Sequence, residues 1–153
     1  MKKFRDHIDH VAWICREENL DRNVKMLSAL CNVDFGEPAV RGDLGLTIYL
    51  SWEAGLEIVA PHTGVTPYNR LLHERLEQRG EGMWGVIFGV DNLEAARERA
   101  RTLGFTPSPV VGEAPDTPWA GKVQVQESRA TEFLGTWLIF GEIGYADGVV
   151  TFD

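Results

Sequence analysis

One phrase occurs twice in this chain of 153 residues, and the repetition limits the folds open to it. Residues 8–14, Ile-Asp-His-Val-Ala-Trp-Ile, read as a strand by their β-branched and apolar content. A polar turn over residues 16–19 follows, with Asn19 placed as an N-cap. A helix then puts Leu20, Val24, Leu27 and Leu30 or Cys31 on one face. The phrase returns at residues 84–90, Trp-Gly-Val-Ile-Phe-Gly-Val, again strand-like. Asp91-Asn92 caps a second helix with Leu93, Ala96, Ala100 and Leu103 in line, and Gly104 stops it at the C′ position. Each strand–helix unit is followed by further strands. After the first come residues 46–52 and 56–60, joined by Glu53-Ala54-Gly55 as a tight hairpin. After the second come 122–126 and 136–140, with short strands expected near Ala39-Val40 and Val110-Val111. Each half therefore reads β-α-β-β-β. A helix over 68–78 connects them, Pro107–Pro118 is the expected mobile loop, and residues 149–152 are expected to add an edge strand.

Composition removes several functions. Fifteen basic against 23 acidic side chains give a formal charge of −8, the wrong sign for a protein that displaces counterions from nucleic acid. No apolar run approaches the ~20 residues that span a bilayer, and no secretory signal follows the basic start. Cys15 and Cys31 form no CxxC pair and sit in apolar surroundings, so both are expected to be buried thiols in a reducing cytoplasm. The chain has no Gly-rich phosphate loop and no nucleophile elbow.

Four phrases carry a family resemblance: Ile8-Asp9-His10-Val11-Ala12, Gly55-Leu56-Glu57-Ile58-Val59-Ala60-Pro61, the run Arg79–Phe88, and Asp91-Asn92-Leu93-Glu94-Ala95-Ala96. With the tandem βαβββ pattern, they resemble the vicinal oxygen chelate superfamily. That superfamily includes glyoxalase I, bleomycin-resistance proteins, extradiol dioxygenases and methylmalonyl-CoA epimerase. The phrases look most like the epimerase branch, and the resemblance covers residues 8–142. It implies an α+β fold of two tandem βαβββ modules, approximately 7–61 and 83–142, forming a curved mixed sheet around a cleft.

The resemblance also implies a divalent metal held by four side chains, two from each module. His10 matches the family histidine of module one and Glu57 its carboxylate. In module two the histidine position is Gly85, beside Trp84, and the last strand, with Trp137, Ile139 and Phe140, offers no carboxylate. Glu142 just beyond that strand, or His62 after Glu57, are the additions that would complete a set; His7 and His73 are less well placed. The expectation is therefore a site without the full metal complement and no other cofactor. Gly85 in place of histidine is expected to enlarge the cleft, and Trp137 and Phe140 to make it more apolar.

Three readings stay open. The first is a protein binding a small apolar or aromatic ligand, with Tyr49, Trp84, Gly85, Trp137 and Phe140 as contacts. The second is an isomerase, epimerase or lyase that moves a proton next to a carbonyl, metal-assisted or with His10 and Glu57 as its acid–base pair. The third is a non-catalytic structural subunit. The expected partners are a small molecule and a second copy of the chain, with neither nucleic acid nor membrane.

Overall fold

The computed structural model describes residues 6–151. Its strands are β1 (His7–Ile14), β2 (Ala39–Arg41), β3 (Leu46–Ser51), β4 (Leu56–Pro61), β5 (Gly82–Gly89), β6 (Val111–Gly112), β7 (Val123–Phe133) and β8 (Thr136–Tyr145). Its helices are α1 (Leu20–Cys31), α2 (Arg70–Arg79) and α3 (Leu93–Thr102). The fold is α+β, and the order is βαβββ twice, as the repeat requires, with α2 between the two runs.

The chain divides into two compact units, Ala12–Trp84 and the segment to Val11 together with Gly85 onward. In the first unit β2, β3 and β4 pair antiparallel, and the end of β1 lies beside β4, where Cys15 N–H donates to Val59 O. Helix α1 covers one face. Cys15, Leu20, Val24, Phe35, Ile58 and Ala60 form the core there, with Leu27, Val33, Tyr49 and Leu56 against it. The last turn of α1 leaves that core: Leu30 is 77% exposed and Cys31 is exposed with it, so only Cys15 is the buried thiol the sequence suggested. Helix α2 starts from Asn69, whose buried amide donates to Gly45 O and Gly64 O while its carbonyl accepts from Thr66 N–H.

In the second unit the order is the start of β1, then β5, β8, β7 and β6. β5 and β8 run parallel, which makes this sheet mixed, and β7 pairs antiparallel with β8. Helix α3 packs through Leu93 and Ala96, which form a cluster with Val90 against Phe88 and Phe140. Asn92 caps it through Ala95 N–H, and Gly104 at φ +88° lets Phe105 N–H reach Ala100 O, closing the C-terminus. Both β7 and β8 extend well beyond the lengths expected from local pattern, because each satisfies the other's backbone through a long register that holds despite a bulge between Arg129 and Thr131. Residues 149–151 form no strand; Val149 N–H turns back to Ala146 O instead, and Phe152 lies outside the described residues. Among the described residues no helix is long and apolar enough to cross a membrane.

Candidate active site

Strand β1 alternates, so His10, Ala12 and Ile14 share its buried side. His10 is 2% exposed, yet its ring is surrounded by polar groups of the second unit. Nδ1 lies 2.7 Å from Asp9 Oδ1. The Tyr145 hydroxyl donates to the same carboxylate, at 2.7 Å from Oδ1 and 2.9 Å from Oδ2. On the other side of the ring, Nε2 lies 3.9 Å from Glu127 Oε1. The His10 and Asp9 side chains are almost wholly buried, whereas that of Glu127 keeps a quarter of its surface open.

Burial pushes the Tyr145 phenol far above its ordinary range. The Asp9 charge and hydrogen bond add to this, as does the Glu127 charge. The phenol therefore remains a donor at every working pH. Glu127 reaches this place because its register partner on β8 is Gly141, whose own partner on β5 is Gly89. No side chain grows beside the carboxylate across two strands, and Ile87 and Ile143 close over Gly141.

Glu57 stands opposite Leu50 on the β3–β4 ladder. Tyr49, opposite Ile58, packs on the α1 core; burial and the charges of Asp21 and Glu37 raise its phenol. Trp84 is a buried residue of β5. Phe140 packs on α3, and Trp137 pairs with Gly85 and carries the Arg129 guanidinium 5.8 Å from its ring centre.

The expected enlargement at Gly85 is not found. A Cβ there would meet Ile139 Cδ1 at 2.9 Å, so the volume that a histidine would need is taken by isoleucine. Glu142 does not reach back toward a ligand set either. Its carboxylate accepts Leu93 N–H at 2.9 Å, at the positive end of α3, and it lines a polar groove of about 430 Å³ with Glu113, Gln124 and Gln126. His62 is bonded through Nε2 to Thr47, and its backbone oxygen to His73. Among the described residues no group of three or more His, Cys, Asp and Glu is arranged to hold a metal ion. The described residues do not fit the four-ligand cradle implied by the family resemblance: no three such groups are gathered, and Ile139 carbon fills the space above Gly85.

Asp9, Glu127 and Tyr145 were not singled out from sequence. Asp9 gave a readable signal, as an acid beside a histidine within an otherwise apolar strand. Glu127 and Tyr145 lie past the ends of the strands that local pattern delimits, so nothing local ties them to His10.

No protein-family profile matches this chain, and no curated protein matches it. Solved structures do. A methylmalonyl-CoA epimerase in complex with methylmalonyl-CoA and ammonium is similar over 95% of this chain and 98% of its own, at 16% identity and a TM-score of 0.65. The methylmalonyl-CoA epimerase of Mycobacterium tuberculosis is similar over 93% and 92%, at 15% identity and 0.63. A Streptomyces coelicolor methylmalonyl-CoA epimerase variant in complex with 2-nitronate-propionyl-CoA is similar over 91% and 98%, at 16% identity and 0.64. These likenesses show the fold, that of the methylmalonyl-CoA epimerases.

Proposed function

We propose that this chain is an isomerase or epimerase that moves a proton at a carbon next to a carbonyl, with Glu127 and His10 as its proton carriers. One observation carries the reading: a buried imidazole, fixed at Nδ1 by Asp9, faces a partly open carboxylate at 3.9 Å. Neutral imidazole with its proton on Nδ1 offers a lone pair at Nε2, and an ionised carboxylate offers lone pairs too. Two such lone pairs side by side can take a proton from a third atom placed beside them and return it.

In the reaction the C–H bond of the substrate breaks. Its electron pair passes into the enolate, and the proton goes to the Glu127 carboxylate. Return of a proton to that carbon or its neighbour restores the enzyme, so no oxidant or reductant is needed. No step runs through a metal, because the side chains present do not form its cradle. The similar structures add a substrate class to try first, the CoA thioesters with which those epimerases are found.

The test is exchange of substrate protons for deuterium in D2O, followed by NMR, with methylmalonyl-CoA and a panel of small carbonyl acids. Glu127→Gln and His10→Gln should each slow exchange about 100-fold or more, the ordinary contribution of a positioned acid–base group. Exchange undiminished in both variants overturns the reading. Saturable binding without exchange in the parent chain would favour a second reading, a binding protein. The filling of Gly85's space by Ile139 supports that second reading, since it gives the region an apolar surface.

A further inference from the structure

The proton-transfer reading uses one nitrogen of His10, and the Tyr145–Asp9 pair lies against the other. We propose that Tyr145 is a positioning residue: by donating to the Asp9 carboxylate it fixes that carboxylate against His10 Nδ1 and so dictates which ring nitrogen carries the proton. This deepens the proposed function and rests on it for its catalytic consequence, but its structural content can be read separately.

Three observations converge. The phenol oxygen is within 2.9 Å of both carboxylate oxygens, so one O–H is shared across the whole acceptor edge of Asp9. Asp9 Oδ1, at 2.7 Å from Nδ1, is left to accept from the ring. The side chains of Asp9 and His10 are each 1% exposed and Tyr145 is 1% exposed, so water does not compete for either end of the chain. A carboxylate in contact with histidine usually has freedom to rotate about its terminal torsion, which is broad and roughly two-fold. Here the phenol removes that freedom. The raised phenol supports the same assignment, since burial keeps it protonated and therefore a donor. Asp9 thus faces the ring at Nδ1 and Glu127 at Nε2, and Tyr145 stands behind Asp9.

The consequence is a single tautomer, Nδ1–H with Nε2 bare toward Glu127. Without Tyr145 the carboxylate can turn away, the Nε2–H form becomes populated, and a ring nitrogen that should accept a proton presents one instead. Loss of the correct tautomer at an otherwise intact Asp–His pair is known to be severe in hydrolases built on that pair.

The experiment uses the full chain with 15N-labelled histidine and two-bond 15N–1H spectra, with His10 assigned through His10→Gln. In the parent chain at mildly alkaline pH, His10 should show the pattern of a ring protonated at Nδ1. Tyr145→Phe should shift that pattern toward a tautomer mixture and lower kcat for deuterium exchange at least tenfold, with KM unchanged within twofold. Asp9→Asn should move it further, because an amide can present a donor to Nδ1. A parent His10 that is protonated at Nε2 overturns the proposal even if Tyr145→Phe fails to fold. So does a folded Tyr145→Phe that leaves the ring pattern unchanged. If no substrate exchanges at all, the proton-transfer reading falls while the ring pattern still decides the role of Tyr145.

Discussion

Each compact unit contains a tyrosine near an aspartate, and the two pairs serve different ends. Tyr49 of the unit Ala12–Trp84 lies half-buried on the α1 core, under the charge of Asp21 of the helix. Tyr145 of the other unit is fully buried, and its aspartate goes on to hold His10. Both phenols are raised by burial first and by carboxylate charge second, but only Tyr145 is pushed out of the normal tyrosine range. The same pair of residue types meets through charge in one place and orders a titratable chain in the other. What differs is access of water, because a hydrogen bond that water can replace adds little and one it cannot replace is costly to lose.

The sharpest way to break this comparison is to remove both hydroxyls in turn. Tyr145→Phe leaves a buried carboxylate short of a donor and should cost about 1–3 kcal/mol in urea unfolding, whereas Tyr49→Phe should cost less than about 1 kcal/mol. Equal losses would mean that burial does not separate the pairs. Next in size is Gly85→His, which restores the family residue type at that position. It must displace Ile139 and should cost about 1–3 kcal/mol by overpacking. Gly85→Ala should cost less because only the flexible end of Ile139 must move, and pairing Gly85→His with Ile139→Ala should recover part of the loss.

The two helices give a third contrast. Asn92→Ala removes a side-chain cap from α3 and should cost about 1 kcal/mol by thermal unfolding, as such caps ordinarily do. Asn19→Ala should cost less, since Asn19 makes no side-chain cap bond to α1 and donates instead to Glu81. The smallest effect is one of pH. The Glu81 carboxyl is held below its usual range by Arg16 N–H and then by the Asn19 amide. Its contribution to stability is fully present above the pKa of the unfolded carboxylate and is lost as pH falls through the lower native value. Glu81→Gln should therefore flatten the acid side of a stability–pH curve below about pH 4.5 while changing little at neutrality.

Much of the fold was legible because it is local. The two strand–helix phrases, the Asn92 cap and the Gly104 stop depend on residues within a few positions of each other, and each appears in the structure where pattern placed it. Asn19 holds the N-cap position, but a short 3-10 turn over Glu17–Asn19 leads into α1, and its side chain takes a distant partner. Glu142 shows the limit of resemblance. Its chemistry suits a ligand, yet its carboxylate accepts Leu93 N–H at the N-terminus of α3.

The sequence by itself determined that the chain repeats a βαβββ unit, that His10 stands in an apolar strand, and that module two offers no side-chain ligand at Gly85 or over residues 136–140. Only the tertiary structure decided that Ile139 fills the space above Gly85, and that Asp9, Glu127 and Tyr145 surround His10. The physical reason is separation: residues 9 and 145 are joined by a hydrogen bond that no local periodicity encodes, and only the order of β1, β5, β8 and β7 brings their strands within reach.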